Sequence, residues 1–490
     1  ARRGLPAWAL VTFALAGVVL RAYVLQSPIG TGLDADESGA ALVSQEILDG
    51  DVSAFTEGLR HGGTALAYPR AVVLALVGRD ALAMKLCEVV VFAAACLVVW
   101  RVGRRMFDER TGQIAAGVMW VFSPALVWDS TKVMLYYTPS VLLAALCMLL
   151  CLRLYQEART SDVAWLGLLF GLSWWMHPMT MYAVVPAIGW LVATRPRLLL
   201  DAWRAVPTAV IGALPWLIEN AGNGWDSLSQ PPGARPSTYG DRLAGFFTDL
   251  LPRATGLRHQ YAGDWYLAPV TLVIYAGLFV CVLVAIRRWH GERTMLLAIG
   301  LAYPVLFAVP ENSVFVDEPR YAMVLAPSLS LGAAYVIVRV VRRWEPAVAV
   351  VLLLALVSLV SLRHVVVDSA KHPGLDVLRP ADLDPIHSVI DERGIEVAFA
   401  EYWLGMRLAF EDEDLQIIPL NGYYLDLYDD APDEGSDVAL FFTGSPMVQR
   451  WRDLAASLGY ATEVEVVDRF TLVWTNDRVP KAPTLGVLDQ

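Results

Sequence analysis

Asp34-Ala35-Asp36-Glu37 sets three carboxylates within four positions, a few residues beyond the first long apolar run. Carboxylates packed this closely repel one another, which either makes one of them hold its proton more tightly or recruits a divalent cation. Both results suit removal of a proton from an acceptor hydroxyl. The same residues also read as the N-terminal cap of a helix over 38–48, since acidic side chains are favoured at the positive end of a helix dipole. Spacing alone leaves the two readings open.

A second group gathers at the end of another apolar run, where Trp128, Asp129, Lys132, Tyr136 and Tyr137 follow Ser123-Pro124. Aromatic residues there form an interfacial belt or a binding wall. Lysine is scarce in this chain, and a cation at a membrane surface can hold a lipid phosphate, so Lys132 is the more informative residue. Trp174-Trp175-Met176-His177-Pro178 breaks two apolar runs, and His177 there could bond a phosphate, bind a metal, or satisfy a carbonyl freed by the proline. Arg258-His259-Gln260-Tyr261, with Asp264-Trp265, joins charge to aromatic surface suited to sugar and phosphate contacts. Arg320-Tyr321 opens a late apolar run, where the arginine either snorkels or forks onto a phosphate. Lys85 and Glu88, three apart within a run, read as an internal pair.

The elements that must carry these residues follow from composition. Of 490 residues, 56% are hydrophobic and only 18% charged, far from a soluble globular average. Apolar runs at 5–25, 81–102, 112–128, 133–155, 163–176, 179–194, 203–220, 264–286, 294–310, 320–340 and 346–364 predict a polytopic α-helical membrane protein of about eleven transmembrane helices. The run 5–25 lacks a small-residue cleavage site and is read as the first of these helices. The stretch 64–77 is apolar but short and carries Pro69 and Arg70, which predicts an interfacial or re-entrant helix.

Arginines collect in alternate loops (Arg101, Arg104, Arg105 and Arg110; Arg153 and Arg159; Arg195, Arg197 and Arg204; Arg287, Arg288 and Arg293; Arg342 and Arg343). The positive-inside rule then places the amino terminus in the cytoplasm of a plasma (inner) membrane protein. Loops 30–63 and 221–263 and the carboxyl-terminal tail share the opposite face. All five cysteines lie in apolar runs and read as small buried hydrophobes. A net charge of −11 without a clustered basic face excludes a nucleic-acid partner.

Residues 1–366 are therefore expected to form the membrane domain, and 367–490 a small soluble extracytoplasmic α/β domain. Strands are predicted at 396–400, 416–420 and 438–442, with a hairpin over 461–475. Asp384-Pro385 and Ser445-Pro446 open helices that end before Gly394 and Gly459. No glycine-rich phosphate loop is present, so no nucleotide is expected.

The order of these features resembles the C-type glycosyltransferase superfamily, nearest the branch of protein O-mannosyltransferases and the lipid A aminoarabinose transferase. The resemblance rests on Asp36-Glu37 with Leu48-Asp49-Gly50-Asp51 downstream, Val102-Gly103-Arg104-Arg105-Met106-Phe107, Ser123-Pro124, and Arg320-Tyr321 with Pro327 beyond. The stretch 62–70 departs from it, lacking the lysine-proline-proline sequence usual in the aminoarabinose branch. The tail motif Glu401-Tyr402-Trp403-Leu404-Gly405-Met406-Arg407-Leu408 resembles outer domains of uncharacterised members and names no substrate.

The resemblance implies that Asp36 is the catalytic base, with Glu37 as its partner or as a metal neighbour. It assigns the donor phosphate to Lys132, Arg320 and Tyr321; the residue types themselves add His177 to that group, and Asp34, Tyr136, Tyr137, Arg258 and His259 as substrate contacts. The implied reaction moves a sugar from a polyprenyl-phosphate donor to a glycan, protein or lipid acceptor among the membrane lipids, with inversion. A divalent metal ion at Asp36 and Glu37 is an open option. The rival readings are a lipid-linked-sugar flippase or an envelope-assembly subunit, though the central spans hold few of the midplane charges transporters use.

Overall fold

The computed structural model describes residues 4–56, 62–228, 237–310, 316–369, 382–420 and 431–481. Its contacts divide the chain into two compact units. One holds Ala1–Ser27, His61–Leu66 and Lys85–Lys371; the other holds Pro28–Arg60, Ala67–Met84 and His372–Gln490.

The first unit is helical, and the chain is an integral membrane protein by its apolar spans. Ala7–Leu25, Ala81–Met106, Tyr137–Glu157, Ala268–Arg288, Pro319–Val340 and Trp344–Val367 are each long and apolar enough to cross a bilayer. A bent pair, Pro196–Gly212 and Leu214–Gly222, at 59°, is long and apolar enough only when its two halves are taken together, as a broken span or a re-entrant loop. The bend falls where Gly212 ends one helix and Pro215 opens the next, because proline lacks the N–H that would continue the ladder. The other expected spans are helical but shorter: Glu109–Val121, Thr160–Met176, Met181–Thr194 and Thr294–Phe307. Local punctuation shortens them. Ser123 caps a separate Pro124–Asp129 helix, so the run 112–128 is broken in two. His177-Pro178 likewise starts a 3₁₀ turn before Met181.

Small residues let two of these helices touch backbone to backbone. A Cβ on Gly171 would stand 2.0 Å from the Ala209 carbonyl oxygen, and one on Gly167 2.3 Å from that of Ala205, the close approach that glycine permits between membrane helices. Arg21 is buried within the first span. It donates to the Ser130 hydroxyl (2.9 Å) and the Trp120 carbonyl (2.9 Å), with its guanidinium carbon 3.7 Å from the Trp120 ring centre. This anchor ties the first span to the segment that carries Lys132. The Ala268–Arg288 helix, by contrast, fully buries only Thr271 and Ala285, holds Tyr275 by a hydrogen bond to the Phe247 carbonyl (2.5 Å), and turns most of its surface outward.

The second unit contains a five-stranded mixed sheet in the order β2-β1-β3-β5-β4. The strands are β1 (Val397–Ala400), β2 (Gln416–Pro419), β3 (Ser436–Phe442), β4 (Thr462–Val467) and β5 (Phe470–Val479). β1 runs parallel to β2 and β3, with Phe399 opposite Ile418 and Ala439, while β3–β5 and β5–β4 are antiparallel. The two punctuated helices are Asp384–Arg393 and Met447–Ser457, and Gly394 closes the first in the left-handed conformation. Phe399, Ile418, Phe441, Trp451 and Val473 form the core. Each strand and helix expected in this region is present, at the small C-terminal sheet domain predicted from sequence.

This unit also holds the Ala35–Asp49 helix of the first loop and the short Ala67–Val77 helix. A further helix, Tyr402–Glu411, occupies the tail motif and packs on Ala35–Asp49.

Candidate active site

In the second unit the acidic group is built around a helix start. Asp34 is the N-cap: its Oδ1 accepts from the Glu37 amide (2.9 Å), and the Glu37 carboxylate accepts from the Asp34 amide (3.1 Å). This reciprocal box satisfies two amides that the helix leaves without partners. Glu37 is fully buried and Asp34 nearly so. Successive residues of an α-helix project about 100° apart, so Asp36 points elsewhere. Its Oδ1 accepts the Tyr402 hydroxyl at 2.6 Å.

Beneath the cap lies Arg407, 2% exposed, with Nη2 3.8 Å from Glu411. Burial pulls its guanidinium below the usual arginine value, and the carboxylates of Glu411, Asp34 and Glu37 oppose that pull. The cap reading of the acidic group is thus realised by Asp34 and Glu37, while Asp36 accepts the Tyr402 hydroxyl. Among the described residues no group of three or more His, Cys, Asp or Glu side chains is placed to hold a metal ion.

In the first unit, six of the expected donor and substrate contacts come together. The rings of Tyr136 and His177 stack at 4.7 Å, Tyr136 and Tyr137 lie 4.6 Å apart, and Tyr137 meets Tyr321 edge-on at 5.8 Å. The Arg320 guanidinium carbon lies 5.6 Å from the Tyr137 ring centre and 5.8 Å from that of Tyr321, within range of a cation–π attraction. Its Nε is 3.2 Å from Glu318. Tyr303 fixes the turn below by donating to the Tyr321 carbonyl at 2.7 Å. Lys132, mostly buried, sits 4.9 Å from the Trp128 ring centre. The Met179 amide donates to His177 Nδ1 at 3.0 Å; in the neutral ring this leaves the proton on Nε2, so His177 is a donor at that atom.

Asp129 joins the two cations. It lies just beyond the span 112–128, and burial pushes its carboxyl up to about 7, opposed by Arg320 and Lys132 and reinforced by Glu318. Its Oδ2 is enclosed and accepts no hydrogen bond among the described residues.

Arg258 and His259 take part in holding their loop. Arg258 donates to Asp249 (2.6 Å) and to the carbonyls of Thr248 (2.6 Å) and Gly263, while His259 Nδ1 accepts from the amides of Tyr261 and Ala262. The loop is seated on the site segment through Tyr261, whose ring meets Trp128 edge-on at 6.2 Å. Ser123 also donates to the Ala254 carbonyl at 2.5 Å. Three residues of these clusters were not singled out as contacts from sequence. Asp129 stood in a segment whose lysine drew the weight, while Tyr402 and Arg407 lay in a tail motif with no assigned task.

Comparison with known proteins follows the same direction. Residues 64–218 match the family described as dolichyl-phosphate-mannose-protein mannosyltransferase. No curated protein sequence matches the chain. Among solved structures, ArnT from Cupriavidus metallidurans bound to undecaprenyl phosphate superposes with a TM-score of 0.69 at 13% identity, covering 94% of this chain and 97% of that one. Its apo state gives 0.67 at 14% identity over the same shares. The Archaeoglobus fulgidus oligosaccharyltransferase in its apo form gives 0.51 at 12% identity, covering 93% of this chain and 72% of that one. Over nearly the whole of both chains the fold is that of ArnT. The resemblance read from the sequence, on the side of the protein mannosyltransferases and the aminoarabinose transferase, is borne out.

Proposed function

We propose that the protein is a glycosyltransferase that moves a sugar from a polyprenyl-phosphate donor to an acceptor hydroxyl at the extracytoplasmic face of the membrane, with inversion at the anomeric carbon. The observation that carries this reading is the pair of cations, Lys132 and Arg320, that both act on Asp129 beside the Tyr136–Tyr137–His177 wall. Two cations and a donor imidazole suit a lipid phosphate, and aromatic faces suit a sugar ring.

In this reaction Asp36 takes the proton of the acceptor hydroxyl as its oxygen attacks the anomeric carbon. The carbon–oxygen bond to the carrier phosphate breaks, and the phosphate leaves with its charge held by Arg320 and Lys132, with Tyr321 and His177 alongside. No step needs a nucleotide, because the lipid phosphate already activates the sugar. A divalent ion at Asp36 and Glu37 is not required by any of these steps. The acceptor, whether glycan, protein or lipid, enters the same scheme through one hydroxyl.

The test is to incubate purified protein with a panel of polyprenyl-phosphate hexoses and pentoses plus acceptor, and to measure release of free lipid phosphate. Release from one donor, abolished by Asp36→Asn, is the expected result. A well-folded sample that releases nothing from any donor overturns it. Release unchanged by Asp36→Asn would remove Asp36 as the base, whereas the absence of release from every donor would leave a flippase or an assembly subunit.

A further inference from the structure

In the second unit a hydrogen bond from the Tyr402 hydroxyl to Asp36 Oδ1 joins the proposed base to the tail domain across 366 positions of sequence. At 2.6 Å it is in the range of a hydroxyl donating to a charged carboxylate, the shorter and stronger kind of hydrogen bond. Neither partner is loosely held. Asp36 lies in the first turn of a capped helix. Tyr402 opens the Tyr402–Glu411 helix, and the residue before it, Glu401, is fastened to the sheet by the Phe442 amide (2.6 Å) and the Ser445 hydroxyl (2.5 Å). Trp403 stands edge-on to the Tyr402 ring at 5.2 Å. Arg407, one turn further along, is buried where its charge acts on Asp34 and Glu37. The helix thus addresses all three acidic residues of the first loop.

We propose that Tyr402 is a positioning residue for the base, and that the tail domain is a working part of the active site through its Tyr402–Glu411 helix. A carboxylate on the first turn of a helix can sweep through several rotamers. Anchoring one oxygen fixes the plane of the group and the direction its other oxygen presents to an incoming hydroxyl, a geometric demand to which rates are steeply sensitive. The inference rests on the reading of Asp36 as the base.

The experiment uses the full chain in detergent or nanodiscs, with a donor shown to be turned over, and compares Tyr402→Phe, Asp36→Asn and Leu404→Ala. Leu404 is fully buried on the same helix and apolar, so its truncation reports packing alone. Tyr402→Phe removes only the hydroxyl. It is expected to lower kcat about tenfold to a hundredfold, to leave KM for the lipid donor within about twofold, and to keep the unfolding midpoint. Leu404→Ala is expected to lower the midpoint while the folded enzyme keeps its kcat. Three results overturn the proposal. One is wild-type kcat in Tyr402→Phe while Asp36→Asn is inactive. Another is a loss in Tyr402→Phe that merely follows its loss of stability, as in Leu404→Ala. The third is full turnover in Asp36→Asn, which removes the base itself and is told apart from the first two by that variant alone.

Discussion

Arg320 is held between an aromatic ring and a carboxylate: its guanidinium carbon lies 5.6 Å from the centre of Tyr137 while its Nε stands 3.2 Å from Glu318. A planar cation seated this way keeps its outer N–H groups aligned for a second anion, which a lysine cannot imitate. Arg320→Lys is therefore expected to raise KM for the donor, and Arg320→Gln to lower kcat/KM by about tenfold to a hundredfold, the size of one charge-assisted hydrogen bond. Lys132→Gln should act in the same direction. Steady-state kinetics with varied donor check this, and unchanged KM in both glutamine variants would remove the phosphate assignment.

Asp36 and Glu37 are neighbours with different duties, and substitution should separate them. Asp36→Asn is expected to lower turnover by about a hundredfold to ten-thousandfold while donor binding persists. Glu37→Gln preserves the capping box, since glutamine serves at that position, and is expected to keep kcat within about tenfold while lowering stability through the lost charge opposite Arg407. Equal loss of activity in the two variants would contradict the division of roles.

Gly171 faces the Ala209 carbonyl across a helix pair with no room for a side chain. Gly171→Leu is expected to separate Thr160–Met176 from Ala205–Gly212 and to destabilise the fold by at least about 1–3 kcal/mol, the usual penalty of overpacking. Gly189, where an added Cβ meets nothing within 4 Å, is the control. Monodispersity and unfolding midpoint in detergent decide the matter; equal behaviour of leucine at the two positions would refute the close approach.

His387 lies in the tail domain, with Nε2 3.6 Å from Glu411 and Nδ1 3.8 Å from Asp412. The hydrogen bond to Glu411 raises its pKa, burial opposes the rise, and the charges of Glu411, Asp412 and Asp391 add to it. A histidine that binds its proton more tightly when folded stabilises the fold fully below its unfolded value, near 6.5, and loses that contribution as pH climbs through the raised value. The unfolding midpoint of wild type is thus expected to fall more steeply than that of His387→Gln between pH 6 and pH 8. The partners are partly exposed, so the difference should stay below about 1 kcal/mol. Parallel curves would show that the histidine titrates alike in both states.

Much of this architecture was legible because its signals are local. Apolar run length marks a membrane helix wherever it occurs, and each expected span is helical. The paired signals Asp384-Pro385 with Gly394, and Ser445-Pro446 with Gly459, bounded two helices for the same reason. Ser123-Pro124 was read as a motif, yet its physical effect, a cap and a proline that break a span, appeared only with the backbone. In the candidate site, Lys132, Tyr136, Tyr137, His177, Arg320 and Tyr321 were each visible as polar or aromatic punctuation beside an apolar run. Tyr402 was not, because nothing near it in sequence shows that its hydroxyl meets Asp36. Asp129 escaped for a related reason: burial raises its carboxyl, and the charges that temper or add to that rise, Arg320 and Glu318, arrive from a distant segment.

The largely exposed Ala268–Arg288 helix carries Cys281, an exposed thiol, whereas Cys96, Cys147 and Cys151 are buried. At ~1.5 Å per residue this sulfur falls near half depth in the hydrocarbon. The molecule thus comes with its own plumb line: a spin label or fluorophore attached there from the lipid phase would register bilayer thickness and tilt in the unmutated protein.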